Sequence, residues 1–365
     1  MPAASVELGP WLPPVVIGDT QGNPAFPLSY AWNRMKPAVT LFALLTLPAL
    51  AQTPPAALEP LGIGLETYPY PYPVHFLPFE IEGQDLRMAY MDVPAQGTAN
   101  GRTVVLMHGK NFGGYYWVGV IRALSAAGYR VVVPDQIGWG RSSKPDIHYS
   151  FHLLAANTAR VLDTLGIRQV AVVGHSTGGI LAARFTLLYP ERVTELVLED
   201  ALGMEDYRVG PWRSDEELYR SELNNTNPER IRAFFARYFA NPKPEIYEPL
   251  ADVFIRVALS GEFPRWAKAS ALAYQMIYQQ PVRSEYHLIK PRTLFVVGDK
   301  DRTTILAPSA SPELREKMGH FPELARQAAK EIGHASVVVV PECGHIPHLE
   351  HPEIFYKALI EFLGH

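Results

Sequence analysis

Ser176 stands in a setting that typically makes a serine nucleophilic. It is the central residue of Gly-His-Ser-Thr-Gly at 174–178, directly after the apolar run Val170–Val173. That run predicts a buried strand, and helical spacing of apolar residues begins after Gly178. Glycines on both sides allow a turn too tight for a Cβ, and such a turn holds the serine in a strained conformation at a helix N-terminus. The pattern therefore predicts Ser176 as a nucleophile.

Two further side chains can complete the chemistry that a serine needs. A serine hydroxyl attacks only when a base removes its proton, and that base must be held in the right tautomer. His345 follows the last predicted strand and is the candidate base, and Asp301 follows the preceding strand and is the candidate orienting acid. Parallel strands end at one edge of a sheet, so these groups can converge there. Asp200, at the end of an earlier strand, is the rival for the acid.

Other polar groups nearby are expected to be structural. His348 and His351 are predicted to be solvated or to cap a helix, and His175 is predicted to be structural. Asp135 is predicted to tie its own loop to the backbone and not to take part in chemistry. Cys343 precedes His345 by two residues, but nothing nearby marks a depressed thiol pKa, so we interpret it as a small apolar loop residue.

The composition excludes several classes of function. A chain of 365 residues with 47% hydrophobic residues can bury a large core. The net charge of −4 comes without a basic stripe, which argues against a nucleic-acid partner. No run of about 18 apolar residues predicts a lasting membrane span. One cysteine permits neither an intrachain disulfide nor a cysteine-rich zinc site. We expect a small-molecule substrate and neither a cofactor nor a metal, and the oligomeric state is left open.

The N-terminal region differs from the rest of the chain. Residues 1–34 predict a disordered segment or an extension upstream of the true start. A charged start, an apolar run and a small-x-small site predict a signal peptide at 35–51, with an uncleaved anchor or a buried helix as alternatives. The mature protein would then be secreted or periplasmic. Residues 52–74 predict a proline-rich tether in extended polyproline conformation, with tyrosines that can pack on the domain and no catalytic role.

The folded domain is predicted to begin near His75 with two antiparallel strands, His75–Glu82 and Leu86–Val93. Six continuously apolar runs then predict strands that are covered on both faces of a parallel sheet. These runs lie at 103–107, 131–133, 169–173, 196–198, 293–297 and 337–340, and helical patterns lie at 116–127, 153–165, 180–189, 312–332 and 352–363. The alternation predicts an α/β fold, a doubly wound, mostly parallel eight-stranded sheet, formed by residues 75–202 and 291–365.

One connection is too long for a simple crossover. Residues 203–290 carry four helical patterns, at 215–223, 228–238, 246–258 and 264–279, together with many aromatic residues. A structureless loop of this length would be implausible in a compact domain. We therefore predict a helical cap that is inserted after the sixth strand and lies over the carboxyl edge of the sheet, where ligands of such sheets bind.

These features together resemble the α/β-hydrolase superfamily in its capped branch. The resemblance runs from about His75 to the C-terminus. It is carried by His108-Gly109, the Pro-Asp-Gln-Ile-Gly-Trp-Gly-Arg-Ser motif at 134–142, Gly174–Gly178, Gly298–Asp301 and Gly344–Glu350, in the family's order. Such motifs are specific for the fold and the triad and say little about the substrate. The helical stretch 306–332 is longer than the family's usual connection, which leaves the shape of that rim of the site open.

The resemblance also implies an oxyanion hole. The N–H of Thr177, after the nucleophile, would be one donor, and the N–H of Lys110 the other, with Asn111 as the alternative to Lys110. Removing one such donor typically costs about 2.7–4 kcal/mol of transition-state stabilisation. Apolar pockets in enzymes are rich in aromatic side chains. The predicted substrate-binding residues are Asn111, Phe112, Trp117 and Trp139.

The sequence therefore favours a secreted serine hydrolase that cleaves esters of small to medium apolar molecules through an acyl-enzyme on Ser176. Haloalkane dehalogenases and epoxide hydrolases resemble this chain but attack with a carboxylate, so the serine argues against both. Ring-fission-product hydrolases, which cleave carbon–carbon bonds, and lactonases share the triad and remain alternatives. A non-catalytic ligand-binding protein on the same fold is disfavoured, since no triad member is missing.

Overall fold

The structure is a computed structural model that describes residues 58–305 and 309–364. The predicted upstream extension at 1–34, the predicted signal peptide at 35–51 and the start of the predicted tether lie outside the described residues. Those assignments stay predictions. Within the part of the chain that is described, no helix has both the length and the apolarity needed to cross a bilayer.

An eight-stranded sheet forms the centre of the described chain. Its strands are β1 (Val74–Ile81), β2 (Gln84–Val93), β3 (Thr103–Met107), β4 (Arg130–Pro134), β5 (Val170–His175), β6 (Val193–Glu199), β7 (Arg292–Gly298) and β8 (Ala335–Val340). They lie in the order β1-β2-β4-β3-β5-β6-β7-β8. The pairs β1–β2 and β2–β4 are antiparallel and the other pairs are parallel. The predicted mostly parallel eight-stranded sheet is confirmed.

Helices follow most of these strands. They are α1 (Val118–Ala126), α2 (Phe151–Thr164), α3 (Thr177–Leu188), α4 (Asp215–Leu223), α5 (Pro228–Ala236), α6 (Pro244–Ala258), α7 (Phe263–Gln279), α8 (Pro312–Lys317), α9 (Phe321–Ile332), α10 (Pro347–Glu350) and α11 (Pro352–Gly364). The single helix predicted over 312–332 was wrong. The structure divides it into α8 and α9, because Gly319 between them adopts a φ of 71°, which a continuing helix does not allow.

The central strands of the sheet are buried on both faces, as parallel strands require. In β3, Val105 and Met107 belong to one apolar cluster with residues of α2, α3, α7 and α9. Val104 and Leu106 point the other way and join a cluster with residues of α1, α5, α6 and α11. Successive side chains of a strand point to opposite faces, so one continuous apolar run serves both clusters.

Four helices, α4 to α7, lie in the chain between β6 and β7, and we call residues 203–290 the helical insertion. Helix α4 packs on α7, and α5 packs on α6. Their starts are well defined: Ser214 and Glu217 form a reciprocal capping box at α4, and Asn227 caps α5.

A segment that precedes the sheet packs on both the core and the insertion. We call residues 58–73 the N-terminal strap; they are the second part of the predicted tether. Leu61, Ile63 and Leu65 are buried. The rings of Tyr68 and Tyr70 lie 5.0 and 5.8 Å from that of Tyr115, both edge-on.

The sheet's register brings the ends of its strands together. Gly174 of β5 lies beside Met107 of β3, and His175 lies beside Glu199 of β6. Gly298 of β7 lies beside Val340 of β8. The loops that leave these carboxyl ends are therefore neighbours, and they carry the predicted site residues.

Candidate active site

The turn that carries Ser176 is strained and admits only glycine on either side. Ser176 has a φ of 55° and a ψ of −121° and stands at the N-terminus of α3. A Cβ at Gly174 would overlap the carbonyl oxygen of Gly178, and one at Gly178 would overlap that of Met107. Backbone strain of this kind costs about 1–3 kcal/mol and persists only where the surroundings impose it. The strain fixes the position of one hydroxyl.

The structure brings the three predicted catalytic side chains into one hydrogen-bonded chain. His345 Nε2 lies 2.9 Å from Ser176 Oγ, and His345 Nδ1 lies 2.6 Å from Asp301 Oδ2. Ser176 is 6% exposed, and the other two are 2% exposed. A carboxylate can only accept, so Nδ1 carries the proton and Nε2 is free to accept one from the serine hydroxyl.

Asp200, the rival for the acid, lies behind Asp301. It accepts a hydrogen bond from the amide of Gly298 at 3.1 Å and is hydrogen-bonded to Asp301. Burial, and then the charge of Asp301, raises the pKa of Asp200 well above its usual range. Two carboxyl groups in hydrogen-bond contact share one proton, and we assign it to Asp200, which donates to Asp301. The structure thus places Asp301, not Asp200, against the imidazole.

The loop after β3 lies against Ser176. A Cβ at Gly109 would lie 3.0 Å from the Cβ of Ser176 and 3.0 Å from Nδ1 of His175. Lys110 and Asn111 continue this loop, and Asn111 has a φ of 74°, a left-handed conformation that asparagine tolerates. Thr177 begins α3 on the other side of the nucleophile. The two predicted oxyanion donors therefore belong to segments that both border Ser176.

The side chain of Lys110 joins this loop to the helical insertion. Its Nζ lies 3.0 Å from Glu222 Oε1 of α4 and 2.9 Å from Ser270 Oγ of α7. Both charged side chains of the ion pair are largely buried. Glu222 therefore balances the charge of Lys110.

A buried relay of hydrogen bonds connects two loops. We call residues 108–113, after β3, the oxyanion loop for its predicted role, and residues 341–346, after β8, the histidine loop. His175 Nε2 lies 2.8 Å from the carbonyl oxygen of His345, so Nε2 must be the donor. Its Nδ1 then accepts from the hydroxyl of Tyr116 at 3.0 Å, and that oxygen accepts from the amide of Gly109 at 3.1 Å. Burial lowers the pKa of His175 to about 3, which keeps the ring neutral as this chain requires. The residue predicted to be structural holds both loops in place.

Comparison with known proteins shows which family this chain belongs to. The sequence profile of the Alpha/beta hydrolase family matches residues 104–358, which include all three residues of the hydrogen-bonded chain. The chain belongs to the α/β hydrolase family. The sequence-based resemblance is confirmed at the level of the family.

Three relatives show how far this α/β hydrolase resembles known proteins. A 2-hydroxy-6-oxononadienedioate/2-hydroxy-6-oxononatrienedioate hydrolase of Burkholderia vietnamiensis (strain G4 / LMG 22486) is 31% identical over 288 residues, 77% of this chain and 92% of the relative. The crystal structure of a probable hydrolytic enzyme from Pseudomonas aeruginosa PAO1 is 42% identical with a TM-score of 0.81, covering 83% of this chain and 98% of that one. The crystal structure of a membrane phospholipase A is 26% identical with a TM-score of 0.58, covering 80% and 86%.

The prediction for His348 was wrong, because it is a buried residue of the hydrolase core. Its backbone amide and its Nδ1 both lie within 2.9 Å of Glu199 Oε1. Burial raises the pKa of Glu199 to about 7 and lowers that of His348 to about 3, so the pair carries at most one charge near neutral pH. The ring of Trp117 stacks on His348 at 4.3 Å and is fully buried there. Trp117 thus packs in the core, and the prediction that it contacts substrate was wrong.

The histidine loop of the hydrolase is tied to the insertion by one carboxylate. Glu350 Oε2 accepts from the amide of Gly344 at 2.7 Å, and its two oxygens also accept from the amides at 240–241 at 3.2 and 2.8 Å. The amide of His345 donates to the carbonyl oxygen of Tyr238 at 2.6 Å. The segment that follows α5 therefore holds the backbone of the predicted base.

Two small cavities share Trp139, and each has room for about one water molecule. The smaller, about 10 Å³, is lined by His108, Gly109, Lys110, Gln136, Trp139, Phe151, Leu154, Thr177, Gly178 and Leu181. The larger, about 20 Å³, is lined by Ile63, Leu65, Asn111, Phe112, Tyr115, Trp139, Gly140, Val253, Phe254, Val257 and Trp266. The structure thus places the predicted substrate-binding residues Asn111, Phe112 and Trp139 on cavity walls.

Asp135 and Cys343 have structural roles. Asp135 Oδ2 accepts from the amide of Arg141 at 2.7 Å and from the hydroxyl of Tyr70 at 2.6 Å, so it ties its loop to the backbone and to the strap. Cys343 is fully buried, and burial raises the pKa of its thiol. A protonated, inaccessible thiol is a poor nucleophile.

Among the described residues, the group whose donor atoms could hold a metal ion is Asp200, Asp301 and His345, with these atoms within 4.8 Å of one another. Each of them is already a hydrogen-bond partner of the next. We therefore assign the two carboxyl groups to orienting the imidazole of His345.

Proposed function

We propose that this α/β hydrolase is a serine hydrolase that cleaves carboxylic esters of small to medium, uncharged apolar molecules. The observation that carries the proposal is the hydrogen-bonded chain from Ser176 Oγ through His345 to Asp301. Thr177 and Gly178, which follow Ser176, line the smaller of two small cavities whose walls are mainly aliphatic and aromatic. This combination supports nucleophilic attack on an apolar acyl group.

The chain of hydrogen bonds supports an acyl-enzyme mechanism. Ser176 Oγ attacks the acyl carbon while His345 Nε2 takes the hydroxyl proton, and Asp301 stabilises the imidazolium. The amides of Thr177 and Lys110 donate to the oxyanion of the tetrahedral intermediate. When that intermediate collapses, the acyl–oxygen bond breaks and the leaving alcohol takes the proton from Nε2. Water then attacks the acyl-enzyme with His345 as base, which releases the acid and restores Ser176.

The charge around the cavities supports an uncharged substrate. Lys110 is the one acidic or strongly basic side chain among the lining residues of the two cavities, and it is paired with Glu222. A substrate carboxylate would have to be desolvated without a free cation to receive it, which is costly in an apolar cavity. An uncharged ester meets no such penalty.

Carbon–carbon bond hydrolysis is the second candidate, because the relative that is 31% identical is named as a hydrolase of 2-hydroxy-6-oxo-dienedioates. The same triad serves ring-fission-product hydrolases. Turnover of the purified protein with an uncharged ester and with an oxo-dienedioate separates the two. We expect kcat/KM to be at least about 100-fold higher for the ester, since the dienedioate brings two carboxylates into the site.

A serine substitution tests both candidates at once. Ser176→Ala should lower kcat for p-nitrophenyl butyrate by at least about 1,000-fold with an unchanged melting temperature, because it removes the nucleophile alone. Ser125→Ala, at a buried serine of α1, is the matched control and should keep its activity. Turnover retained by Ser176→Ala would refute the assignment of the nucleophile.

We also propose that the protein is exported, on the sequence of residues 35–51 alone. N-terminal sequencing of the protein recovered outside the cytoplasm should begin at Gln52. An N-terminus at Met35 or upstream of it would contradict cleavage.

A further inference from the structure

We propose that Tyr238, in the segment that follows α5, stabilises the protonated form of His345 with the face of its ring. A residue of the helical insertion then adds to the strength of a base that belongs to the core. The inference rests on the proposed role of His345 as the base of a serine hydrolase, and it names a positioning residue that acts through that base.

The ring of Tyr238 packs on the imidazole of His345. The two ring centroids are 5.2 Å apart, with 32° between the planes. Among the described residues, two other rings contact this imidazole: Phe321 at 5.9 Å and 70°, and His175 at 5.0 Å and 53°. Tyr238 is the nearest to parallel of the three, so it presents the most of its π face to the imidazole.

Backbone contacts hold Tyr238 in this place. Its carbonyl oxygen accepts from the amide of His345 at 2.6 Å, and a Cβ at Gly344 would overlap that oxygen, so glycine is required for the approach. Glu350 binds the amides at 240–241, which follow in the same segment. None of these contacts uses the side chain of Tyr238. A substitution there therefore removes the ring and leaves the segment attached to the histidine loop.

The hydroxyl of Tyr238 has a separate partner. It is hydrogen-bonded to the side chain of Asn111 in the oxyanion loop. Asn111 Oδ1 lies 3.3 Å from Lys110 Nζ, and a lysine can only donate, so the amide nitrogen of Asn111 donates to the tyrosine. The ring and the hydroxyl make different contacts, which substitutions can separate.

An aromatic face stabilises a cation more than a neutral ring. A cation within about 6 Å of the centroid of a desolvated tyrosine is favoured by a factor of about 5 to 30 in an equilibrium constant. His345 becomes such a cation when it takes the proton of Ser176. An interaction that is stronger with the imidazolium than with the imidazole raises the rate of that step.

The charged and titratable groups around this pair of rings stay the same in all the variants that test it. Asp301, Asp200, Glu199 and His175 surround the imidazole, and Arg237 and Glu222 interact with the tyrosine. A change in the pH profile between variants therefore reports on the ring at position 238.

Tyr238→Leu and Tyr238→Phe separate the ring from the hydroxyl. Leucine removes the π face, so the plateau of kcat/KM against pH for p-nitrophenyl butyrate should fall about 5- to 30-fold, and the midpoint of the acid limb should move down by about 0.7–1.5 pH units. Below the acid limb most of the loss should disappear, because a weaker base is unprotonated more often there. Phenylalanine keeps the ring and should restore the plateau to within about threefold of the wild type, with the midpoint in place.

A series of fluorinated rings tests the same point without a change of shape, should Tyr238→Leu fold poorly. Fluorine withdraws electrons from the π face, so the plateau should fall stepwise from Tyr238→Phe through its mono-, di- and trifluoro analogues. Phe234→Leu is the matched control. The Phe234 ring packs on Tyr238 at 5.2 Å and, among the described residues, makes no ring contact with His345, so this variant should lose stability and keep its pH profile.

The inference is overturned if Tyr238→Leu lowers kcat/KM by one factor at every pH, if Tyr238→Phe loses as much as Tyr238→Leu, or if the fluorinated series is flat. An equal loss in Phe234→Leu would overturn it as well. The rate at which a phosphonofluoridate labels Ser176 gives the same comparison without an ester. A wild-type protein that neither hydrolyses esters nor is labelled would instead refute the proposed function and this inference with it.

Discussion

Tyr116→Phe removes one oxygen atom from the relay beneath the active site. That oxygen accepts from the amide of Gly109 at 3.1 Å and donates to Nδ1 of His175 at 3.0 Å. Phenylalanine keeps the ring, which stacks on Phe112 at 4.6 Å with 5° between the planes. The substitution therefore deletes two hydrogen bonds while it preserves the apolar packing.

The cost can be worked out from the groups that are left behind. The amide of Gly109 and the ring nitrogen of His175 are both buried and would lose their partner, at about 1–3 kcal/mol each. The free energy of unfolding should fall by about 2–4 kcal/mol, because local relaxation recovers part of the loss. Gly109 precedes Lys110, a proposed oxyanion donor, and a small displacement of a catalytic group can cost about 100-fold in rate. We expect kcat to fall about 10- to 100-fold with little change in KM.

Urea unfolding and steady-state hydrolysis of p-nitrophenyl butyrate measure the two effects on the same protein. Tyr286→Phe is the matched control, because among the described residues the buried Tyr286 hydroxyl has no hydrogen-bond partner and Tyr286 lines neither cavity. If Tyr116→Phe loses stability but keeps its kcat, its hydroxyl holds the core and not the oxyanion loop. An equal loss of activity in Tyr286→Phe would also contradict the role assigned to the Tyr116 hydroxyl.

Further substitutions test the neighbouring groups. Asp301→Asn should lower kcat about 10⁴-fold, because it favours the wrong tautomer of His345. Steady-state kinetics across pH 6–9 would measure this loss and show whether a higher pH restores kcat. Asp200→Asn should keep kcat within about threefold, because an amide still donates to Asp301; a loss like that of Asp301→Asn would contradict a protonated Asp200. Glu350→Gln should lower the free energy of unfolding by about 1.5–3 kcal/mol, since a charged acceptor of backbone amides becomes neutral. An unchanged midpoint in urea unfolding would show that Glu350 does not hold the histidine loop to the insertion. Burial lowers the pKa of His175 to about 3 in the folded protein, against about 6.5 in the unfolded chain, so its contribution to the free energy of unfolding is intact above pH 6.5 and is lost as the pH falls. His175→Gln should therefore remove about 1.4 kcal/mol per pH unit from the slope of unfolding free energy against pH between pH 6 and 4. An identical slope in the variant would contradict a neutral His175 ring.

The sequence was sufficient for features that depend on local pattern. The run before Ser176, the glycines beside it and the apolar strands are all defined within ten residues, and the structure has the strands and the turn at those places. His345 and Asp301 could be selected because each follows a strand, and parallel strands end at the same edge. The register of β7 and β8 then brings them within hydrogen-bond distance.

What the sequence could not provide depends on contacts between distant residues. The partner of His348 is Glu199, on another strand, and no local spacing shows that both are buried together. Trp117 is an aromatic residue of the kind that often lines pockets, but its ring stacks on that of His348 in the core. Glu350 lies within the family motif at 344–350, so its proximity to His345 was visible, whereas its bonds to the insertion were not.

The strap is a segment whose contacts the sequence also did not reveal. Its prolines and tyrosines are typical of a spacer, and a composition argument gives such a segment no function. The extended conformation predicted for this segment was wrong at residues 62–68, where Leu65 has a φ of 51° and its amide donates to the carbonyl oxygen of Gly62 at 2.9 Å. Strand-like alternation therefore could not show which of its side chains face inward. All three are buried, and two of them line the larger cavity.

The burial of Cys343 has a practical consequence. It is the one cysteine of the chain, and its thiol is both inaccessible and hard to ionise. Maleimide dyes or nitroxide labels would therefore attach selectively to cysteines engineered at exposed positions such as Leu58 and Leu259, without a cysteine-free background. Distance measurements between such labels would report directly whether the strap and α6 separate during turnover.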